Sequence, residues 1–168
     1  MPRARVQAYG GPCPSPPRGW TWESLMECAL AQAALGQTKG EVPVGAVLVN
    51  AQGQLLAQAH NEPISLHDPT AHAEVLALRR AGAALGNYRL EGCTLVVTLE
   101  PCAMCTAAMV HARIAGLVYG AEDARAGAVT SCFDGLDLPL YNHTVWHMGG
   151  ILAARCAAQL RTFFANAR

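Results

Sequence analysis

Four residues in two short stretches carry the side chains that could do chemistry. In "DPTAHAEVLAL" (68–78) a histidine and a glutamate, His72 and Glu74, stand two residues apart among small and apolar neighbours. In "EPCAMCTAAMVHAR" (100–113) Cys102 and Cys105 form a C-x-x-C pair. The apolar positions Ala73, Val75, Leu76 and Leu78 can be buried without His72 or Glu74, so those two polar residues answer to something other than packing. Residues three apart on a helix share a face, which brings the two sulfurs together. Exposed N–H groups and the positive end of the helix dipole in a first turn favour thiolate, the form that binds zinc. One imidazole and two thiolates make three ligands. Three protein ligands with a fourth place for water, whose pKa then falls to roughly 7, is the pattern of a catalytic zinc rather than a structural one. From the tip of a helix, His72 can reach the metal while Glu74 reaches the water, as a base and then an acid.

The elements that must position these residues can be read from the pattern around them. Thr21 is a helix cap for the apolar positions Trp22, Leu25, Met26, Ala29, Leu30 and Ala33, and Gly36 and Gly40 end that helix. The runs "VPVGAVLVN" and "LLAQAHN" flank "AQGQ" and predict a two-stranded hairpin that ends at Asn61. A polar loop, "EPISLHD", leads to the helix of His72, with Asp68 as its cap and Pro69 in its first turn. The strand "CTLVVTL" (93–99) repeats the grammar, with Glu100 as a short acidic cap and Pro101 at the first helical position. A third unit has the strand "GLVYGA" (116–121), an irregular stretch to about Asn142, a short strand "HTVWHM" and a closing helix "GILAARCAAQLRTFF". Strands alternating with helices predict an α/β architecture with both faces of the sheet covered.

Composition limits the setting. A content of 52% hydrophobic and only 14% charged residues over 168 positions excludes a disordered chain and describes one domain with a real core. The apolar runs stop well short of the roughly 20 residues needed to cross a membrane, so no membrane partner is expected. Net charge is zero, so contact with a polynucleotide would need a local patch rather than bulk charge. Seven scattered cysteines, an odd number with no apolar leader before them, favour a reducing, cytoplasmic compartment. The first twenty residues hold five Pro, three Gly, three Arg and no acidic residue, which predicts a flexible tail over 1–20 ahead of a domain over 21–168. Cys93, Cys132, His67 and His111 are the other candidate ligands, with no helpful spacing, and Cys28 and Cys156 read as core.

A histidine, a nearby glutamate and a downstream Pro-Cys-x-x-Cys together match the zinc deaminase signature. From about Thr21 to Phe164 the chain resembles the tRNA-specific adenosine deaminases of bacteria, within the zinc-dependent cytidine and deoxycytidylate deaminase superfamily. The resemblance rests on "EVPVGAVLV", "HDPTAHAE", "NYRL", "TLEPCAMC", "MVHARI", "VYGAEDARAG" and "GGILAARCAAQLRTFF". It implies a three-layer α/β/α, cytidine-deaminase-like fold around a mixed five-stranded sheet. It implies one Zn2+ per subunit on His72, Cys102 and Cys105, with Glu74 as proton shuttle in the conversion of a wobble adenosine to inosine in a tRNA anticodon loop, of the arginine type. Asn61 would bond the flipped purine, although an Asn ending a strand also serves turns. Asn142 and His143 match positions near the substrate, and Asp123 and Arg125 match positions that contact sugar and phosphate. A homodimer is implied, with Met104, Met109 and Val110 on the apolar side of the cysteine helix near its counterpart.

Guanine and cytosine deaminases of nucleobase salvage share the signature and are the alternative reading, and "DPTAHAE" occurs in the guanine enzymes as well. A homologue that only binds RNA without catalysis would not need Glu74. Two features depart from the family: the loop "NEPISLHD" carries Glu62 and Leu66 where basic residues are common, and the chain ends at "ANAR" without a strongly basic tail. Arg3, Arg5 and Arg18 could offset that loss of positive charge.

Overall fold

In the computed structural model, described for residues 14–167 and for the backbone of residues 6–7, a mixed sheet separates two layers of helix. The strands are β1 (Val6–Gln7), β2 (Gly45–Val49), β3 (Leu55–His60), β4 (Thr94–Leu99), β5 (Gly116–Ala121) and β6 (Trp146–Met148), in the order β1-β6-β5-β4-β2-β3. β2 runs antiparallel to β3 and β4, whereas β4, β5 and β6 run parallel. The expected five strands are β2 to β6. The two-residue β1 pairs antiparallel with β6 and adds a short sixth at the edge.

Alternation along the strands builds two cores at once. On one side of the sheet Val47, Val49, Val96 and Val118 pack with α1 (Trp22–Thr38) and with Cys156 of α5 (Ala153–Asn166). On the other, Ala46, Leu48, Leu95, Val97 and Leu117 pack with α3 (Ala73–Leu85) and α4 (Ala103–His111). A Cβ on Gly45 would stand 1.9 Å from the Ala29 carbonyl, so glycine is what lets α1 lie against β2.

Several local expectations change. Thr21 caps α1 through a reciprocal pair of bonds with Ser24, as its position suggested, but Gly36 lies inside the helix against the His60 ring, and the chain turns only at Gly40. The loop after β3 contains a short helix, α2 (Pro63–Leu66). Its first N–H groups are met from afar by the buried carboxylate of Glu41, through Ser65 N at 2.8 Å and Ile64 N at 3.4 Å. Residues 1–5 and 8–13 of the expected tail lie outside the described residues, Arg3 and Arg5 among them. At the inner end of that stretch, Pro14 and Trp20 make contacts with the domain. The Trp20 indole donates to the Gly53 carbonyl at 2.8 Å and the Trp22 indole to the Pro14 carbonyl at 3.1 Å. No helix among the described residues is long and apolar enough to cross a membrane.

Candidate metal centre and active site

Two helix N-termini meet at the site. His72 is the N-cap of α3, in extended conformation, and Cys102 is the N-cap of α4. The acids expected to cap these helices do other work. Asp68 takes the Thr70 N–H and hydroxyl and pairs with Arg79 at 3.4 Å, while the Glu100 carboxylate turns away toward the loop after β5. Both helices therefore start later than the prolines suggested, and each begins at a metal-ligand candidate. Neither N-cap side chain makes a capping hydrogen bond. The acceptor for the first N–H of α3 comes from Asn61 at the end of β3, whose Oδ1 lies 2.8 Å from Ala73 N.

His72 Nδ1 lies 3.6 Å from each sulfur of Cys102 and Cys105, and the sulfurs are 3.7 Å apart. A tetrahedral zinc with bonds of about 2.0 Å to nitrogen and 2.3 Å to sulfur needs edges of about 3.5 and 3.8 Å. The three donors are thus already spaced for the ion. Among the described residues no fourth His, Cys, Asp or Glu joins the cluster, so Cys93, Cys132, His67 and His111 are not ligands here.

The two thiols titrate as a pair. Their mutual hydrogen bond, aided by the neighbouring imidazole against the cost of burial, holds Cys102 down at about 4, and the same contact with burial pushes Cys105 far up. The Cys102 contact in turn raises the His72 imidazole against its partial burial. Glu74, at the second position of α3, is 4% exposed, and burial drives its carboxyl up to about 7 against the lowering effects of its own N–H and of His72. A carboxyl that titrates near neutrality beside three soft donors is equipped to take up and return a proton.

Residues 21–121 match the family model for the cytidine and deoxycytidylate deaminase zinc-binding region. The tRNA-specific adenosine deaminase of Haemophilus influenzae is 45% identical over 146 residues, covering 87% of this chain and 84% of that protein. The enzyme of the same name from Aquifex aeolicus is 47% identical over 73% of this chain and 81% of its own. This chain belongs to the tRNA-specific adenosine deaminase family. It is a deaminase, a hydrolase of C–N bonds, with a zinc-binding site of the family type. A structure from work on A-to-I editing by tRNA:A34 deaminases superposes with a TM-score of 0.78 at 43% identity, over 81% of this chain and 98% of that one. The guanine deaminase of Nitrosomonas europaea is more distant, at 25% identity with a TM-score of 0.72 over 98% of this chain and 89% of its own.

Relative to that family pattern, the remaining candidates divide. Asn61 uses its carbonyl oxygen as a cap, and its amide nitrogen has no partner among the described residues. Asp123 closes the turn behind it, with Oδ1 accepting from Arg125 N at 3.0 Å and Ala126 N at 3.2 Å, and Arg125 is exposed. The Asn142 backbone carbonyl accepts from Arg113 at 3.5 Å, and its exposed side chain has no partner among the described residues. His143 is tied to the Ile114 carbonyl at 2.7 Å, which is a structural bond. Glu62 is matched with Arg80 at 3.0 Å and Lys39 at 3.9 Å. What the sequence reading missed is Glu100, whose acidic position before Pro101 looks like a cap until the chain returns 23 residues later.

Proposed function

We propose that this protein converts the wobble adenosine of a tRNA anticodon loop, of the arginine type, to inosine, as a cytoplasmic homodimer with one zinc per subunit. The observation that carries the reading is the three-ligand cluster with Glu74 buried beside it, in a chain whose relatives are named for this reaction. His72 Nδ1 and the Cys102 and Cys105 thiolates would hold the zinc, which supplies water acidic enough to serve as a nucleophile near neutral pH. Glu74 would take a proton from the attacking water and deliver it to the purine ring, while the C6–O bond forms. It then takes the proton of the new C6 hydroxyl and passes it to the exocyclic nitrogen, the C6–N bond breaks as the C6 carbonyl forms, and ammonia leaves. The Asn61 amide N–H group is free to donate to the base while its oxygen holds α3.

A base in a loop is already unpaired, so turning it into the site costs little. Flanking nucleotides then supply binding energy that orients the reacting carbon, and a truncated substrate forfeits it. Asp123, Arg125 and Asn142 are the proposed contacts to those nucleotides. For the dimer, the proposed face is revised. Met109 and Val110 are buried in the subunit's own core, whereas a groove of about 530 Å³ between α3 and α4, lined by Val75, Leu78, Gly82, Tyr88, Ala108 and His111, stays open.

The test is to incubate the protein separately with an anticodon stem-loop carrying a wobble adenosine and with free adenine, guanine, cytosine and adenosine, measuring ammonia and inosine. Conversion of the stem-loop with little action on the free compounds is expected. Turnover of free guanine or cytosine with none on the stem-loop would leave a salvage deaminase instead.

A further inference from the structure

The Glu100 side chain is 2% exposed, yet it does nothing for the helix it precedes. Its donors all come from one later segment. Oε1 accepts from three consecutive backbone N–H groups, Val129 at 3.1 Å, Thr130 at 2.7 Å and Ser131 at 2.9 Å. Oε2 accepts from Asp123 N at 3.0 Å and from the Ser131 hydroxyl. Three successive N–H groups aimed at one point form an anion nest, and a loop bent this way needs an anion in it. Here the protein supplies its own.

The surrounding backbone is built to the same end. A Cβ on Gly127 would fall 2.4 Å from the Glu100 carboxyl carbon and from Oε2, so the loop can wrap the carboxylate only with glycine there. Ala128 N donates to the Pro101 carbonyl at 2.8 Å, and Glu100 N donates to the Ala121 carbonyl at 2.8 Å. The chain is thereby tied to the two residues immediately before Cys102 at Ala121, just ahead of segment 122–132, and at Ala128 within it. Within this segment Asp123 is half-buried and Arg125 is exposed.

We propose that Glu100 is a positioning residue, whose carboxylate holds the 122–132 loop in the shape that presents Asp123 and Arg125 to RNA. The proposal rests on the RNA-editing reading. Glutamine cannot replace Glu100, because its NH2 would confront the Asp123 N–H donor in place of an acceptor, and aspartate is a methylene too short to meet both sets of donors. The loop shape is thus dictated from within the zinc motif, and the RNA contacts are registered to the reacting centre by one side chain.

The experiment compares the wild type with Glu100→Gln, and with Gly127→Ala, which attacks the same contact from the loop side. Zinc content, trypsin cleavage after Arg125 and single-turnover deamination of a wobble-adenosine stem-loop over a range of enzyme concentrations are measured. Both variants should keep their zinc and be cut faster at Arg125. The half-saturating concentration should rise about tenfold, the order expected when a charge-assisted contact that orders a binding loop is lost, with the saturating rate within about twofold. An unchanged half-saturating concentration in both zinc-loaded variants would overturn the proposal, as would a fall confined to the saturating rate. If Glu100→Gln fails to fold, Gly127→Ala decides by the same readouts. Wild-type protein that leaves the stem-loop unedited would instead remove the RNA-editing reading, and the RNA role of Glu100 with it.

Discussion

Three buried glutamates show how one residue type is given different roles by its partners. Burial alone would raise all three. For Glu41 the Ser65 and Ile64 donors outweigh burial, and for Glu100 the loop 122–132 does so, and both are held below the ordinary range. Glu74 has little besides its own N–H, His72 and the Cys105 thiol, and burial wins. Glu74 is the one left able to exchange a proton near neutrality. Glu74→Gln should therefore keep the zinc and the fold and lose deamination by about a hundredfold or more. Zinc analysis with stem-loop kinetics checks this, and near-normal turnover would take Glu74 out of the mechanism. Asn61 allows a finer separation, because its oxygen caps α3 and its nitrogen is free. Asn61→Asp should preserve the cap and the melting temperature but lose activity, whereas Asn61→Ala should lose both, with about 1 kcal/mol of stability going with the cap. Equal activity in Asn61→Asp and the wild type would confine Asn61 to its structural bond.

At the scale of elements, the strands and the helices that cover them were legible because both signals are local. The apolar residues of β2 and β4 alternate between two buried faces, and Thr21 with Ser24 marks a helix start within four residues. The meeting of His72 with Cys102 and Cys105 was legible too, since a C-x-x-C on a helix tip with a His-x-Glu upstream is a spacing that serves a metal. What could not be read are the acceptors that arrive from far along the chain. Asp68 and Glu100 stand where caps belong, yet Asn61 serves α3 across 12 residues and Glu100 serves a loop up to 31 residues away. The short helix α2 is hidden in the sequence for the same reason: four residues carry no periodicity, and its stabilising carboxylate, Glu41, lies 24 residues before Ser65.

That last contact makes a pH prediction. Glu41 has a folded pKa below its ordinary 4.5, so its contribution is fully present above that value and is lost as pH falls through the folded pKa. Glu41→Ala should destabilise by about 1–2 kcal/mol near neutrality, the worth of an ionised cap, and the gap from wild type should close in acid. Denaturant melts of the two proteins at pH 7 and at progressively lower pH measure it. A gap that stayed constant to the acid end would mean that packing, not charge, holds α2.

On the scale of the whole molecule, the sheet divides the labour between its faces. The face covered by α1 and α5 is closed by Trp22, Leu25, Met26 and Cys156. The opposite face carries the metal cluster at the tips of α3 and α4, and between the same two helices it leaves the groove that Ala108 and Tyr88 border. Tyr88 is 69% exposed and Leu85 48%, which is apolar surface beside a concavity rather than scattered residues. A second copy meeting this groove by two-fold symmetry would place the α4 helices of both subunits side by side, each close to the other's site. The expectation is a mass near twice 17.7 kDa by light scattering at micromolar concentration. Ala108→Arg should shift it to the monomer, because a long side chain on the wall of the groove would block the contact and a second cation beside Arg79 would be desolvated there. Since Ala108 touches neither ligand nor base in this reading, the variant should retain its zinc, which separates loss of assembly from loss of fold. A wild-type monomer at that concentration, or a dimer indifferent to Ala108→Arg, would show that this groove is not where the subunits meet.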